Sequence, residues 1–353
     1  MPPAISALLT THNRAHLLPR VLGGLQKQTL AKAMFEIIAI DDGSVDDTPA
    51  VLASYADKLP LRIFRQGASG LAAAKNLGVF AARAPIVVFL DDDDVLDPDA
   101  LRAHLAAHNA NPDMATAVLA HSRLDPEVAK SPLMRHVTEV GCQLFSYNWV
   151  KRGGNLGYRE FWGGRSSCKR EFLLTHGVFN PAFRFGCEDI ECGWRLRPHG
   201  LKVIYEPAAS AAMIRSISFD DFCRRSYAQG RSQVRFAQIH PDPEIRAYCE
   251  IDDGLRLWQN CWRNYAAVLR RVRECDKMAS DRILAGATLD ADFQKQLDDG
   301  YFLAFALSRA KGVADALWLS ETTPEAPRNK AYGLAGDFTE LMRKLDAPES
   351  IRR

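Results

Sequence analysis

The sequence predicts an α/β fold, with a mostly parallel sheet flanked by helices and an α-helical C-terminal region. Short apolar runs that are typical of buried strands alternate with stretches of helical periodicity through about residue 208. Such alternation indicates βαβ units, whose strands pair in parallel through right-handed crossovers. Strand signals are nearly absent beyond residue 208, where helical periodicity continues. We therefore expect two domains, residues 1–208 and residues 209–353.

Each element of the first domain can be placed from its residue pattern. Apolar runs predict strands over residues 5–10, 35–40, 61–66, 86–90, 115–120 and 201–207. Helical stretches are predicted within residues 41–56, 67–84, 97–108, 168–177 and 188–200. A helix also follows the first strand and should start late, because Pro19 fits only in a first turn. Asp97 is the expected N-cap of the helix after the fourth strand.

A long irregular segment over residues 122–164 interrupts this pattern. It is rich in glycine, asparagine and aromatic residues, and it ends in GYREFWGG. So long an irregular segment inside a compact domain usually forms a lid or a binding loop. We therefore expect it to contribute to a binding site.

Composition and charge exclude several classes of protein. The formal net charge is +2, whereas proteins that bind nucleic acid by bulk electrostatics have markedly basic domains. We find no signal peptide and no apolar run of about eighteen residues, so any membrane contact would be peripheral. The eight cysteines show no CxxC spacing, which favours reduced thiols. We predict a cytoplasmic protein, with the inner membrane surface as an alternative location.

Four polar clusters follow predicted strands, at the ends where open α/β sheets bind ligands. They are TTHNR, DDGS, GASG and DDDD, after the first to fourth strands. Four consecutive carboxylates repel one another, and a hard cation such as Mg²⁺ or Mn²⁺ relieves that repulsion. Asp91 and Asp93 can point together along an extended chain, with Asp94 facing away. The alternative is a solvated acidic turn in which Asp94 and Asp97 cap the next helix.

Five motifs together resemble family 2 glycosyltransferases, which are inverting, nucleotide-sugar-dependent enzymes of the GT-A fold. The motifs are LLTTHNR, AIDDGSVDDT, GLAAAKNLG, VFLDDDDVLDPDAL and FGCEDIECGWRLRPHG, in the order and at roughly the spacing of that family. The resemblance covers approximately residues 3–208 and lapses beyond them. It implies a donor half over about residues 1–120 and an acceptor half over about residues 121–208.

The resemblance assigns site residues position by position. Contacts to the donor nucleotide are implied for Thr10, His12, Arg14, Asp41, Lys75, Asp91 and Asp92. Asp41 matches a carboxylate that accepts a hydrogen bond from a uracil-type base, so a UDP-sugar is favoured over a GDP- or dTDP-sugar. Asp93 matches the metal-binding acid of the family's DxD element, and Asp189 matches the catalytic base, with Glu188 in support. The region that shapes the acceptor site includes Trp162, Gly163 and Gly164.

These roles suffice chemically for an inverting single displacement. A Mg²⁺ or Mn²⁺ ion at Asp93 would stabilise the departing nucleoside diphosphate as a Lewis acid. Asp189 would accept the proton of the acceptor hydroxyl, so that no nucleophilic Ser or Cys is required. The alternative for the Asp189 segment is a plain amphipathic helix. The alternative for Trp162 is a core side chain beside a tight turn.

Two other functions remain open on the sequence. A nucleotidyltransferase also binds nucleotide and metal on an α/β sheet, but TTHNRAHLLPR lacks the glycines of a phosphate-gripping loop. A non-catalytic nucleotide-sugar-binding module is the second alternative, although Asp93 and Asp189 are both present. The acceptor is not readable, so glycan, lipid-linked and peptide acceptors all remain open.

One departure from the family concerns the metal. Many relatives carry a histidine shortly after the strand that ends near Tyr205, whereas this chain has PAASAAMIRS there. Either Asp93 and the diphosphate hold the metal with waters, or another residue substitutes, with Arg215 and Arg224 as candidates, since arginine suits phosphate. Large apolar residues in the later helices predict core packing, with self-association as a homo-oligomer or contact with an anionic membrane as alternatives.

Overall fold

The computed structural model describes residues 2–152 and 154–320 and divides the chain into two compact units. The first unit runs to Val128 and continues over Tyr147–Arg215. The second unit contains Ala129–Ser146 and the chain from Ser216 onward. The last part of the predicted helical region, residues 321–353, lies outside the described residues. The domain boundary at residue 208 stays a prediction.

The first unit is built on one mixed sheet. Within the described residues its strands are β1 Ile5–Thr11, β2 Phe35–Asp41, β3 Leu61–Arg65, β4 Ile86–Leu90, β5 Asp94–Leu96, β6 Thr116–Leu124, β7 Asn155–Leu156, β8 Ser166–Lys169 and β9 Lys202–Met213. Their order is β3-β2-β1-β4-β8-β6-β9-β5, with β7 paired to β9. The first four strands in this order run parallel, whereas β8 is antiparallel to both of its neighbours. The predicted α/β class is confirmed.

Helices cover both faces of this sheet. In the first unit they are α1 Leu18–Gln26, α2 Thr48–Ala53, α3 Leu71–Ala81, α4 Ala100–Ala110, α6 Arg170–His176 and α7 Glu188–Leu196, and α5 Pro132–Arg135 belongs to the second unit. Leu9 of β1 shares a core cluster with α1, while Leu8 lies against Gly78 of α3. Because both of its faces are covered, β1 reads as a continuous apolar run and is buried throughout. Pro19 lies in the first turn of α1, which confirms the late start.

Two predicted boundaries in this unit were wrong. Helix α4 begins at Ala100 with Asp99 as its N-cap, and Asp97 instead accepts two hydrogen bonds from Arg123, at 2.7 and 2.8 Å. Strand β9 was expected to end at Pro207, which lacks a backbone N–H for the ladder. The pairing instead shifts register, since Ala120 and His121 of β6 pair with Glu206 and Ser210 of β9. Pro207 and the two residues after it are thereby skipped in this pairing, and β9 continues to Met213.

Regular structure in the second unit is helical throughout its described residues. After α5 and a π-helical turn, its helices are α8 Phe219–Ile239, α9 Pro243–Tyr248, α10 Ile251–Cys261, α11 Tyr265–Leu284 and α12 Ala291–Ser320. Helices α8 and α12 approach each other so closely that a Cβ at Gly230 would lie 2.1 Å from the Arg309 carbonyl oxygen. Of the helices described, none is long and apolar enough to cross a membrane.

Candidate active site

The carboxyl ends of three neighbouring parallel strands carry the polar clusters of the first unit. The register places Thr11 of β1 beside Asp41 of β2, and β4 pairs with the other side of β1. Hydrogen bonds then join the loops that follow. The backbone N–H of Asn13 donates to Ser44 Oγ at 2.9 Å, and the N–H of His12 reaches Asp92 Oδ2 at 3.4 Å. Three of the four predicted clusters therefore meet at one edge of the sheet.

Asp41 and Asp42 organise the end of β2. Asp41 is buried, accepts the Ser44 backbone N–H at 2.8 Å and ion-pairs with Arg65 at 3.3 Å. Asp42 accepts the backbone N–H groups of residues 69 and 70, each at 2.9 Å. These two bonds tie the fourth cluster, GASG, to the same edge. Gly70 sits there with φ +95°, and a Cβ on it would lie 3.2 Å from Arg184 Cα.

The donor-side residues at the end of β1 differ in exposure. Thr10 is buried within the strand, whereas His12 is exposed and places its Nδ1 2.8 Å from the Asp42 carbonyl oxygen. Arg14 is part-buried, and its Nε lies 3.5 Å from Asp92 Oδ1. The β1 loop therefore contacts both β2 and the acid run.

The acid run Asp91–Asp94 is neutralised by arginines from three other segments. Arg14 follows β1, Arg165 precedes β8, and Arg215 follows β9. Asp93 Oδ2 lies 2.5 Å from Arg215 Nε, and Arg165 lies 3.4 Å from both Asp91 and Asp94. Each of the four carboxylates therefore has a guanidinium within ion-pair distance. The other candidate substitute, Arg224, belongs to the second unit and pairs with Asp221.

The alternative of a solvated turn in which Asp94 caps the next helix was wrong. The side chain of Asp94 is buried, and it accepts a hydrogen bond from Ser122 Oγ at 3.1 Å besides its ion pair with Arg165. The physical reason is that β5 begins at Asp94 and pairs with β9, which turns this side chain into the protein. Burial raises the pKa of Asp94 to about 7, with Arg165 acting in the opposite direction. Burial and the neighbouring Asp93 likewise raise the pKa of Asp92 to about 6.

A second carboxylate pair lies at the start of helix α7. Glu188 and Asp189 occupy its first turn, where the positive end of the helix dipole favours negative charge. Cys187 precedes them in the left-handed region, with φ 65°. Such backbone conformations in non-glycine residues are concentrated at functional sites.

Lys75 of α3 holds this second pair in place. Its buried ammonium donates to Glu188 Oε1 at 3.0 Å. Burial alone would lower the pKa of Lys75, but Glu188, Asp189 and Asp91 together raise it. Burial and Glu188 raise the pKa of Asp189 to about 6, although Lys75 opposes this. The positive charge of Lys75 therefore interacts with both the acid run and Asp189, the predicted base.

The segment Trp162–Arg165 connects the two carboxylate groups. The backbone N–H of Gly163 donates to Asp189 Oδ2 at 2.9 Å. A Cβ at Gly164 would lie only 2.0 Å from Asp91 Oδ2, so glycine is what allows this approach. Arg165 then reaches Asp91 and Asp94. Residues predicted for the acceptor region thus contact the acid run on one side and Asp189 on the other.

Trp162 lies at the start of this segment and is part-buried. Its indole Nε1 donates to the Arg159 carbonyl oxygen at 2.9 Å, and its ring meets Tyr147 edge-on at 5.4 Å. Tyr147 in turn stacks on Tyr205 at 5.4 Å. The tryptophan is therefore held in one orientation by its neighbours.

The acid run fits a cation that takes few protein ligands. Its donors are all carboxylate oxygens, which suit Mg²⁺ or Mn²⁺. Among the described residues no three His, Cys, Asp or Glu side chains converge as a complete metal cage would need. Mg²⁺ commonly uses one or two carboxylates and completes its ligands with substrate phosphates. The guanidinium of Arg215 already occupies a cation position beside Asp93, which shows that positive charge is stabilised there.

Sequence reasoning missed Arg165, Arg65 and Asp42 as members of this edge. Arg165 directly follows Trp162–Gly164 in the sequence. The four negative charges of the acid run indicate that further cations lie nearby, which could have pointed to this arginine. Asp42 neighbours Asp41 in the DDGS cluster. Arg65 ends β3, the strand next to β2, so its position follows once the strand order is known.

The fold and this edge of the sheet define the class of protein. A mannosyltransferase from Pyrobaculum calidifontis, solved with GDP-Man and Mn²⁺, matches with a TM-score of 0.56 and 18% identity over 91% of this chain and 89% of that chain. A structure of S. aureus TarS in complex with UDP matches with a TM-score of 0.51 and 14% identity, over 91% and 92%. At these identities the likeness concerns the fold, which is the GT-A fold.

The chain matches the model of glycosyl transferase family 2 over residues 6–166. It is 33% identical over 222 residues to validoxylamine A glucosyltransferase of Streptomyces hygroscopicus subsp. jinggangensis, over 56% of this chain and 52% of that protein. A second validoxylamine A glucosyltransferase, from S. hygroscopicus subsp. limoneus, is 32% identical over 56% of this chain and 49% of that protein. The chain therefore spans about half the length of these curated relatives. The resemblance predicted from the motifs is confirmed.

Proposed function

We propose that this chain is an inverting glycosyltransferase that moves a sugar from a nucleotide-diphospho-sugar to an acceptor hydroxyl. The observation that carries the proposal is the segment Trp162–Arg165, which contacts the acid run and Asp189 together. A transferase needs one carboxylate group beside the leaving diphosphate and another beside the incoming hydroxyl. Here the two groups lie on either side of one four-residue segment.

The donor is proposed to bind along the ends of β1, β2 and β4. Its nucleotide would contact Thr10, His12, Arg14, Asp41, Lys75, Asp91 and Asp92. Of these, Asp41 and Lys75 are already bonded to Arg65 and Glu188. UDP-sugars are the favoured donors because Asp41 matches the carboxylate that accepts a hydrogen bond from a uracil-type base in the resembling family, and its side chain is buried here. Relatives of this fold have been solved with UDP and with GDP-Man, so the GDP-sugar remains the second choice.

Asp189 is proposed to act as the general base. Its carboxylate takes the proton of the acceptor hydroxyl as that oxygen bonds to the anomeric carbon. The bond between the anomeric carbon and the diphosphate oxygen breaks, the nucleoside diphosphate leaves with the bonding electrons, and the configuration inverts. The Gly163 N–H orients one carboxylate oxygen, and Lys75 acts through Glu188 to keep the pair in position.

Asp93 is proposed to hold a divalent cation, Mg²⁺ or Mn²⁺, together with the donor diphosphate. When bound, this ion would supply Lewis-acid stabilisation of the negative charge on the leaving group. The chain's own guanidinium groups at Arg165 and Arg215 add positive charge on the same side. Trp162, Gly163 and Gly164 are proposed to border the acceptor, whose class (glycan, lipid-linked or peptide) is left to experiment.

The base assignment is tested with Asp189→Asn. We expect a loss of transfer of about 100-fold or more, since general-base catalysis contributes roughly 10²–10⁴-fold. Binding of UDP and GDP, measured by calorimetry, should stay within about twofold of the unmodified protein. Asp57→Asn, at an exposed position of the same unit, is the matched control and should retain full activity. Substantial turnover by Asp189→Asn would reject the assignment.

A donor screen separates the proposed reaction from nucleotidyl transfer. Nucleotide sugars incubated with the protein should be hydrolysed slowly to free sugar and nucleoside diphosphate, even without an acceptor. A nucleotidyltransferase would instead release pyrophosphate from a nucleoside triphosphate and a sugar phosphate. Product analysis by ion-exchange chromatography distinguishes the two, and a protein that only binds nucleotide sugars would form neither product.

A further inference from the structure

Arg215 is fixed beside Asp93 at two points. The backbone N–H of Ile214 donates to the Asp93 carbonyl oxygen at 2.8 Å, which places the next residue against the acid run. The side chain of Arg215 then brings Nε to 2.5 Å from Asp93 Oδ2. Asp93 is almost fully buried, whereas Arg215 keeps 32% of its side-chain surface exposed. The carboxylate is thus held in place while the guanidinium retains a path to solvent.

This ion pair opposes the binding of a metal at the same carboxylate. The guanidinium takes only Oδ2 of the two carboxylate oxygens, but a divalent cation at Asp93 would lie close to its positive charge, and the two cations repel each other. Arg215 makes the closest contact among the ion pairs of the acid run, whose other arginines lie 3.4 to 3.5 Å from their partners. The residue proposed to bind the metal is therefore the one most tightly occupied by the protein's own cation.

A nucleotide-diphospho-sugar changes this balance. Its diphosphate adds negative charge beside the acid run and offers oxygens that guanidinium groups bind in a bidentate manner. Arg215 is long and partly exposed, and its backbone and the Asp93 contact hold it beside the acid run, so its side chain can turn from the carboxylate to a phosphate. The carboxylate that it leaves is then free to take a metal ion.

We propose that Arg215 is a built-in counter-ion that occupies Asp93 in the donor-free protein and moves to the donor diphosphate when a divalent cation takes its place. Metal and donor then bind in one coupled event, and the metal alone binds weakly. The proposal rests on the proposed use of a nucleotide-diphospho-sugar. It makes Arg215 a donor-positioning residue and gives the missing family histidine a replacement that is not a metal ligand.

The test is a calorimetric titration with Mn²⁺ alone, without nucleotide. Arg215→Gln removes the competing charge but keeps a side chain of similar length. We expect it to bind Mn²⁺ about tenfold more tightly than the unmodified protein. Arg123→Gln is the matched control, because Arg123 pairs with Asp97 at 2.7 and 2.8 Å outside the acid run. Its Mn²⁺ affinity should not change.

The second arm titrates UDP and GDP, with Mn²⁺ and with a chelator. The unmodified protein should bind its preferred nucleotide about tenfold or more tightly when Mn²⁺ is present. Arg215→Gln should bind that nucleotide about tenfold more weakly at saturating Mn²⁺, because a charge-assisted contact is lost. A variant damaged in its fold would lose both ligands, whereas this model requires opposite changes.

Three outcomes would overturn the proposal. Equal Mn²⁺ affinity in the unmodified protein and Arg215→Gln would show that the arginine does not compete. Nucleotide binding that ignores Mn²⁺ in the unmodified protein would show that Arg215 stays on Asp93. Unchanged nucleotide affinity in Arg215→Gln would remove its role toward the diphosphate. None of these readouts needs turnover, so they are separable from a failure of the transferase proposal in the donor screen.

Discussion

Lys75 is the side chain around which the carboxylates of the site are arranged. It is buried, it bonds Glu188 directly, and it lies near enough to Asp189 and Asp91 for their charges to raise its pKa. A Cβ at Gly163 would lie 2.4 Å from its Nζ, so the acceptor segment also closes against it. A buried lysine costs free energy unless it is paired, and here the negative charges of Glu188, Asp189 and Asp91 supply the pairing.

The charges around Asp189 predict the acid limb of the pH profile. Because the pKa of Asp189 is raised from 3.8 to about 6, the base form is present above that pH and is lost as the pH falls through it. We expect the transfer rate to fall below about pH 6. Glu188→Gln removes the neighbouring negative charge and should move this limb down by about one pH unit.

The substitution Lys75→Met should shift the acid limb of the pH profile in the opposite direction from Glu188→Gln. Removing the positive charge should move the acid limb upward, because Lys75 lowers the pKa of Asp189. Rates measured against pH for both variants, with thermal unfolding to confirm folded protein, provide the check. Shifts in the same direction, or no shift, would contradict the assignment of Asp189 as the base.

At the scale of elements, the segment Trp162–Arg165 sets the distance between the two carboxylate groups. It enters β8, whose central position between β4 and β6 fixes one end of the segment in the sheet. Gly163 and Gly164 lie so close to Asp189 and Asp91 that side chains at these positions would collide with them. The glycines are therefore required by close approach, whereas neither has a positive φ.

Gly164→Ala tests this element. The added methyl group would force Asp91 or the segment to move, and misplacement by about 1 Å costs on the order of 100-fold in rate. We expect kcat/KM for transfer to fall by about that factor. Gly23→Ala in α1 is the control, since nothing lies within 4 Å of its Cβ position and alanine favours the helix by roughly 0.5–1 kcal/mol. A rate for Gly164→Ala within twofold of the unmodified protein would refute the role of the close approach.

The elements that the sequence predicted well are those with local signals. Strands β1, β2 and β4 are buried apolar runs, and the clusters after them meet because parallel neighbours end at the same edge. Strand β8 has only four residues, SSCK, too few to show a period, and so the mixed character of the sheet was not predicted. One partner of the acid run, Arg165, was out of reach, because it meets Asp91 across 74 positions and no local pattern encodes such a pairing. Arg215 meets Asp93 across 122 positions and was named only through the resemblance, as a substitute for the missing histidine.

At the scale of the whole molecule, the candidate site lies within one of the two units. The acid run, Lys75, Asp189 and their arginine partners all belong to the first unit. The second unit has a core of its own, in which Phe222 packs against Phe305 with ring centroids 4.5 Å apart. Self-association through these helices and contact with a membrane surface stay predictions.

The crossing of α8 and α12 allows the two units to be separated by experiment. A Cβ at Gly312 would lie 2.0 Å from the Tyr227 carbonyl oxygen, a rigid backbone atom. Gly312→Ala should therefore force the helices apart and destabilise the second unit by about 1–3 kcal/mol. Thermal unfolding should show a lower midpoint for that transition.

Affinity for UDP or GDP with Mn²⁺, measured by calorimetry below the transition, should stay within about twofold in Gly312→Ala, because the proposed nucleotide contacts come from the first unit. Gly286→Ala is unsuitable as a control because of its φ of +81°, whereas Gly23→Ala, with open space around its Cβ position, should change neither the transition of the second unit nor the nucleotide affinity. A parallel loss of nucleotide affinity in Gly312→Ala would mean that the helical unit takes part in donor binding.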